Sequence, residues 1–194
     1  MLAGDTLEGV LRHPDPPLAD GALALRAKTR HDVDALVAIC QDPAIPRWTR
    51  VPSPYTREDA LAWIAISELE LSAGRAIDWV AVDADDAIVA SVAIQQLDRE
   101  RGTGEVGYWV AAPARGRGIA ARAVRLVSEW AVRELGLRSL EIMAHEDNAP
   151  SQAVARAAGY LETGETSVPP RDGLPEGRYV VFTLEPSTRG QTPG

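Results

Sequence analysis

Between an extended segment and a helical one the chain reads Arg115-Gly116-Arg117-Gly118, and residues of these types at this spacing suit the binding of an anion. Tyr108, Trp109 and Val110 favour extended backbone, Pro113 cannot continue a ladder, and Ile119, Ala123, Leu126, Val127 and Trp130 recur at helical spacing. Glycine lets a ligand approach the backbone, and the first turn of a helix leaves its N–H groups without intrahelical acceptors. Strand, glycine loop and helix together make an anion site of pyrophosphate size. The loop has no Gly-Lys-Ser or Gly-Lys-Thr of a Walker loop and does not fit the Gly-x-Gly-x-x-Gly dinucleotide fingerprint. The same residues also suit a tight turn with solvated arginines and no ligand.

Covalent and metal chemistry have less support. Cys40 shares an apolar helical face with Val33, Leu36 and Val37, which suits a buried thiol, and no Cys–His or Ser-His-Asp spacing stands out. Asp83-Ala84-Asp85-Asp86 lacks the glycine turn and the distal Glu of a calcium loop and reads as a solvated turn. A single cysteine excludes an internal disulfide and, with only three histidines, argues against structural zinc, so no metal is expected.

A chain of 194 residues is long enough for one domain with a substantial core. Its net charge of −8 opposes a nonspecific grip on nucleic acid and suits a cationic partner. No opening segment resembles a signal peptide, and no run approaches the ~20 apolar residues that span a bilayer. A cytoplasmic protein with no membrane or nucleic-acid partner is expected, as a monomer or a homodimer.

The elements that must position the loop follow from periodicity. Residues 1–21 hold Pro14, Pro16 and Pro17 and read as a lead-in. Leu23 and Leu25 begin a strand, and Thr29 or Asp32 caps a first helix. Residues 42–54 form a proline-punctuated loop with Arg47, Trp48 and Arg50. Thr56-Arg57-Glu58-Asp59 resembles a capping box for a helix to about Ser72, with an apolar set of Ala60, Leu61, Ile64, Ala65 and Leu69 and with Trp63 to one side. Residues 77–82 and 88–97 read as a hairpin, and residues 104–110, 117–135 and 139–144 as a βαβ unit with parallel strands. A short helix over 150–158, ended by Gly159, precedes strands at 160–162 and 178–184 around a loop at 169–177. Within the long helix, Ile119, Leu126, Val127 and Trp130 should face the sheet, and Arg122, Arg125 and Arg133 the solvent.

This order, with Arg115-x-x-Gly118-x-Ala120 after Gly107-Tyr108-Trp109-Val110 and Pro113, resembles the GNAT N-acetyltransferases, and most of all their RimJ/RimL-like branch. Asn148-Ala149-Pro150-Ser151 with the later Gly159-Tyr160 is similar to a second motif of that branch. Asp42-Pro43 to Trp48 and Thr56 to Trp63 are similar, more weakly, to its acceptor-side loop and helix. The resemblance implies an α+β fold: a mixed, mostly antiparallel sheet of six to seven strands, flanked by about four helices, with a central splayed parallel pair. The expected organisation is a tail over 1–21, one acetyltransferase domain over 22–185 and a tail over 186–194.

The resemblance further implies an acetyl-coenzyme A-dependent acyltransferase whose amine acceptor, a small molecule or a protein N-terminus, attacks the thioester directly. A noncatalytic acyl-coenzyme A binding or regulatory module of the same fold is the alternative. The cosubstrate would meet Trp109, Val110, Arg115, Gly116, Arg117, Gly118, Ile119, Ala120 and Ala121, with its arm in the gap between the splayed strands and Asn148 bonding to it. Ala111, Ala112 and Pro113 would end the ladder where the splay begins. Arg156 fits either a reach to the phosphates or a place in solvent, and Asn148 fits a helix cap equally well. Glu105 is the candidate base, with His145 and Glu146 in reserve. Many relatives place a tyrosine acid seven residues after the Asn, where this chain has Ala155, so attention moves to Ser151, which also fits a helix cap. Trp48, Trp63, Glu105 and His145 are the candidate acceptor contacts.

Overall fold

Thr56 opens a helix by a reciprocal cap. Its Oγ1 accepts the Asp59 amide at 3.2 Å and the Asp59 carboxylate accepts the Thr56 amide at 2.8 Å, so Asp does here what Glu usually does. Thr29 caps a 3₁₀ turn, Arg30–Asp32, in the same way. The computed structural model describes residues 10–167 and 174–186. In chain order its elements are β1 (Leu18–Asp20), β2 (Leu23–Arg26), α1 (Val33–Cys40), α2 (Ala44–Trp48), α3 (Arg57–Ser72), β3 (Ile77–Val82), β4 (Ile88–Asp98) and β5 (Thr103–Val110). Then follow α4 (Ile119–Leu135), β6 (Ser139–His145), α5 (Ala149–Ala157), β7 (Leu161–Thr166) and β8 (Tyr179–Leu184).

The strands form one sheet in the order β1-β2-β3-β4-β5-β6-β8-β7, antiparallel throughout except for β5 and β6. Eight strands replace the expected six to seven, because the lead-in closes on β1, which pairs with β2 across the two-residue turn Gly21-Ala22. Five α-helices stand against the expected four, since the proline-punctuated loop winds into α2. Part of the expected loop at 169–177 lies outside the described residues, as do residues 1–9 and 187–194.

One face of the sheet carries α4 and α5 over a core that includes Ile119, Val124, Val127, Trp130, Ala155 and Phe182. The opposite face carries α1, α2 and α3 over Val33, Leu36, Cys40, Ile45, Tyr55 and Ile64. Trp130 is buried, packing edge-on to Trp79 with centroids 5.5 Å apart, and Leu126 is half-buried. Arg125 and Arg133 are exposed, whereas Arg122 is half-buried and ties α4 to β1, its Nε donating to Asp20 at 2.7 Å. The apolar stripe expected along α3 holds only in its first half. The core shared with α1 takes in Ala60, Leu61, Trp63 and Ile64, while Ala65 is exposed and Leu69 is 64% exposed. No helix among the described residues is long and apolar enough to cross a membrane.

The parallel pair runs only from Thr103↔Ser139 to Glu105↔Glu141. Beyond it each strand keeps its outer partner, β5 with β4 as far as Ala90↔Val110 and β6 with β8 as far as His145↔Tyr179. The two strands therefore part at Glu105, well before the Ala111-Ala112-Pro113 stretch expected to end the ladder. The strand itself, with its ladder to β4, does end at Val110, immediately before that stretch, so the stretch marks the end of β5 and not the point where the parallel pair opens.

Candidate active site

The gap between β5 and β6 belongs to a continuous cleft of about 1540 Å³ that runs from the glycine loop to the α2–α3 segment. Residues 106–110 of β5 no longer have β6 beside them, so the backbone groups on that side have no ladder partner. An extended chain bearing amides can hydrogen-bond there as a third strand would. The mouth at one end is the loop opening α4, where Arg115, Gly116, Gly118, Ile119, Ala120 and Ala121 line the cleft. Gly118 is the N-cap residue, with φ of 71° in the left-handed region that glycine alone enters at no steric cost. The helix itself begins at Ile119, two residues later than the sequence spacing suggests.

The two arginines differ in place. Arg117 is exposed and does not line the cleft. Arg115 lines it, but its guanidinium is engaged: Nε donates to the Val110 carbonyl at 3.2 Å and Nη2 pairs with Asp42 at 2.5 Å. The Asp42 carboxyl lies below the usual carboxylate range because it accepts the Ala44 amide and, in addition, faces Arg115. Arg115 thus fastens the α1–α2 connection to the glycine loop and presents its remaining donors at the rim.

Glu105 sits at the apex of the split, half-buried, where the Gln96 amide donates to its carboxylate at 2.8 Å. Gln96 reaches it because β4 bulges between Gln95 and Asp98, with Gln96 at φ of 49°. A bulge re-aims a side chain that regular alternation would send to the other face. Trp109, on the same face as Glu105, packs against Trp63 with ring centroids 6.4 Å apart, and both line the cleft. Trp63 in turn covers Lys28, whose Nζ lies 4.1 Å from its ring centroid. Burial lowers the Lys28 pKa despite its contact with Asp78, and that carboxylate also accepts the Ser67 hydroxyl at 2.6 Å.

At the other wall, Asn148 caps α5: its Oδ1 accepts the Ser151 amide at 3.2 Å. Both residues line the cleft. The Ser151 hydroxyl meets the Tyr108 hydroxyl at 2.8 Å, and the Tyr108 hydroxyl also lies 3.0 Å from the Ser151 carbonyl, to which it can donate. Burial pushes the Tyr108 phenol up to about 12, offset in part by the Ser151 contact. Nothing in the sequence singled out Tyr108 for chemistry, because its partner stands 43 residues away.

His145 ends β6 with both ring nitrogens occupied. Nδ1 accepts the Asp147 amide at 3.1 Å, which leaves the proton on Nε2 to be donated to the Glu176 carbonyl at 2.9 Å. Trp48 and Tyr179 flank the ring, each with its centroid 5.3 Å away. His145 thus ties the Glu176 segment to β6 at the acceptor-side wall. Glu146 is bound by Arg178 at 2.8 Å, which keeps its carboxyl below the usual range. Arg156 does not line the cleft: it pairs with Glu162 at 2.7 Å and lies over the Phe182 ring. The cleft therefore brings together Glu105, Ser151, Asn148, Trp48, Trp63, Trp109, Val110, His145 and most of the glycine loop, and leaves Arg117 and Arg156 outside.

A sheet split between parallel strands above a glycine-capped helix defines an acetyltransferase architecture, and the acetyltransferase (GNAT) domain family matches residues 22–161. The chain belongs to that family. A candidate ribosomal N-acetyltransferase of Bacillus subtilis, YdaF, is 34% identical over 90 residues, which span 46% of this chain and 47% of YdaF, about half its length. Among solved structures, a candidate ribosomal-protein-serine acetyltransferase from Vibrio cholerae superposes with a TM-score of 0.79 at 23% identity, covering 90% of this chain and all of that one. RimJ of Mycobacterium smegmatis, solved with a coenzyme A disulfide, superposes with a TM-score of 0.77 at 19% identity, covering 88% and 85% of the two chains. At these identities the two structures establish the fold.

Proposed function

We propose that the protein transfers the acetyl group of acetyl-coenzyme A to a primary amine, by direct attack within a complex of both substrates. The observation that carries this is the split at Glu105, because it places an unpaired strand edge, a helix N-terminus and a carboxylate in one cleft. The pyrophosphate lies on the first-turn amides of α4, with Arg115 at the rim, and the pantetheine arm runs along residues 106–110 toward Glu105. The fit is supported by donors of the right kind: backbone N–H groups without ladder or intrahelical partners, in a channel walled by small residues such as Ala120 and Ala144.

Glu105 takes the proton that the amine loses, directly or through water, as the nitrogen attacks the thioester carbonyl. Ser151 stands across the gap to return a proton to the departing sulfur. The acceptor lies among Trp48, Trp63 and Trp109, on the face that Glu105 shares. Asp59, Glu70 and Asp78 also line this part of the cleft, but Asp59 caps α3, Glu70 pairs with Arg75 and Asp78 with Lys28, so among these carboxylates none is left over for the acceptor. The ribosomal names carried by the relatives support a protein N-terminus as one acceptor to test, beside small amines. The buried Cys40, its thiol pushed up to about 12 by burial, is inert and is no candidate nucleophile.

A screen of amines and N-terminal peptides against acetyl-coenzyme A, read by thiol release, tests the proposal. Release that depends on an added amine supports transfer. Tight binding of acetyl-coenzyme A with no release for any amine would favour a noncatalytic acyl-coenzyme A module.

A further inference from the structure

Ser151 alone is a poor proton donor, since an aliphatic hydroxyl is a far weaker acid than the thiol whose conjugate base it must protonate. The structure sets a phenol directly behind it. Tyr108 projects from β5, one leg of the split, and Ser151 stands at the start of α5, just beyond the other leg, so their 2.8 Å contact spans the gap. Both residues line the cleft, and the tyrosine is otherwise packed into the core beneath α4. Among the described residues, the hydroxyl's hydrogen bonds are the two to Ser151.

We infer that Tyr108 is a positioning residue for the acetyl transfer and the source of its leaving-group proton, acting through Ser151. This rests on the acetyltransferase reading of the cleft. The one phenolic proton is divided between the Ser151 carbonyl at 3.0 Å and Ser151 Oγ at 2.8 Å; when it turns to Oγ, the single serine proton turns away from the tyrosine and toward the gap. As the carbon–sulfur bond breaks, sulfur keeps the bonding pair and takes the Ser151 proton. Ser151 takes the phenolic proton of Tyr108, and the phenolate regains one from solvent, which has received the proton lost by the amine. The relay is neutral overall and needs no further reactant. A phenol, ordinarily near 10 and pushed up to about 12 by burial, remains much closer to a thiol than serine is.

The test compares wild type, Tyr108→Phe, Ser151→Ala and the double variant with two donors: acetyl-coenzyme A and its acetyl selenoester, whose selenolate leaves without needing a proton. Phenylalanine keeps the buried ring and removes only the oxygen. With the thioester, Tyr108→Phe should lower kcat by about 10- to 100-fold, with KM for the donor within about twofold. The double variant should be no slower than Ser151→Ala, because both changes interrupt one relay. With the selenoester the deficit of Tyr108→Phe should shrink to within about threefold. An equal deficit with both donors, or a double variant slowed by the product of the single effects, would overturn the relay and leave Tyr108 a packing residue. Unchanged kcat in Tyr108→Phe would overturn it as well. Should Tyr108→Phe not fold, the same two-donor comparison with Ser151→Ala decides, an equal deficit again overturning the relay. Amine-dependent turnover by wild type separates this question from the acetyltransferase reading: its absence with every acceptor overturns both, whereas its presence leaves the relay to the variants.

Discussion

Two glycines at opposite ends of α4 allow the cofactor loop to be tested with its own control. Gly118 precedes the helix at φ of 71° and Gly136 follows it at φ of 67°, and a Cβ built on either meets no atom within 4 Å. Alanine at either position costs the same thing, a left-handed backbone for an L-residue, roughly 1–2 kcal/mol. For a chain of this size each kcal/mol lowers Tm by roughly 2–4 °C, so both variants should melt roughly 2–8 °C below wild type. Only Gly118 lines the cleft. There the new methyl group enters the space the pyrophosphate needs and turns the first-turn amides away from it. Gly118→Ala should therefore weaken acetyl-coenzyme A binding about tenfold or more, about 1.4 kcal/mol by calorimetry, while Gly136→Ala binds as wild type does. Wild-type affinity in Gly118→Ala, or an equal loss in Gly136→Ala, would refute the placement of the phosphates.

Trp130→Ala removes a buried ring packed on Trp79 and should cost on the order of 3–5 kcal/mol, whereas Arg133→Ala, an exposed residue paired with neighbouring Glu134, should stay within about 0.5 kcal/mol in denaturant melts. Equal shifts would mean that the wrong face of α4 has been assigned to the core. Glu105→Gln should slow turnover at neutral pH and recover part of it as the pH rises and more acceptor amine is neutral; a wild-type pH–rate profile would remove Glu105 as the base. Lys28→Met strands the Asp78 carboxylate beside Ser67 and should destabilise by about 3–5 kcal/mol, with Lys28→Met/Asp78→Asn recovering much of it, and a harmless single variant would show that the pair carries no mutual support.

What was legible in the sequence was local. The strand–loop–helix around Gly118 and the capping box of Thr56 follow from residues within about twenty positions of one another, where propensity and period act directly, and the parallel pairing of β5 with β6 follows from the βαβ connection rule. The strand β1 also had a local signal, the glycine-first turn Gly21-Ala22 joining Asp20 to Leu23, which suits a tight hairpin. It was obscured by the prolines before it. The α3 stripe misled for the opposite reason: Ala65 and Leu69 keep the helical period, but no element lies over them. Periodicity reports which face could be buried, and only the neighbouring elements decide how far along the helix burial extends.

The catalytic wall was not legible because its contacts join distant parts of the chain. Arg115 meets Asp42 and His145 meets Trp48 and Glu176, while Gln96 turns to Glu105 only through an irregularity in β4. These contacts tie the loops and α2 to the strands on either side of the split. A regular parallel pair would have held β5 and β6 together to their ends with backbone hydrogen bonds. Once the strands part, a side-chain contact crosses the gap instead, Tyr108 to Ser151. The pair that crosses the opening is also the one proposed to face the leaving group, so substitutions at Tyr108 and Ser151 should affect stability and turnover together. Substrate comparisons, such as thioester against selenoester, are the measurements that separate the two effects.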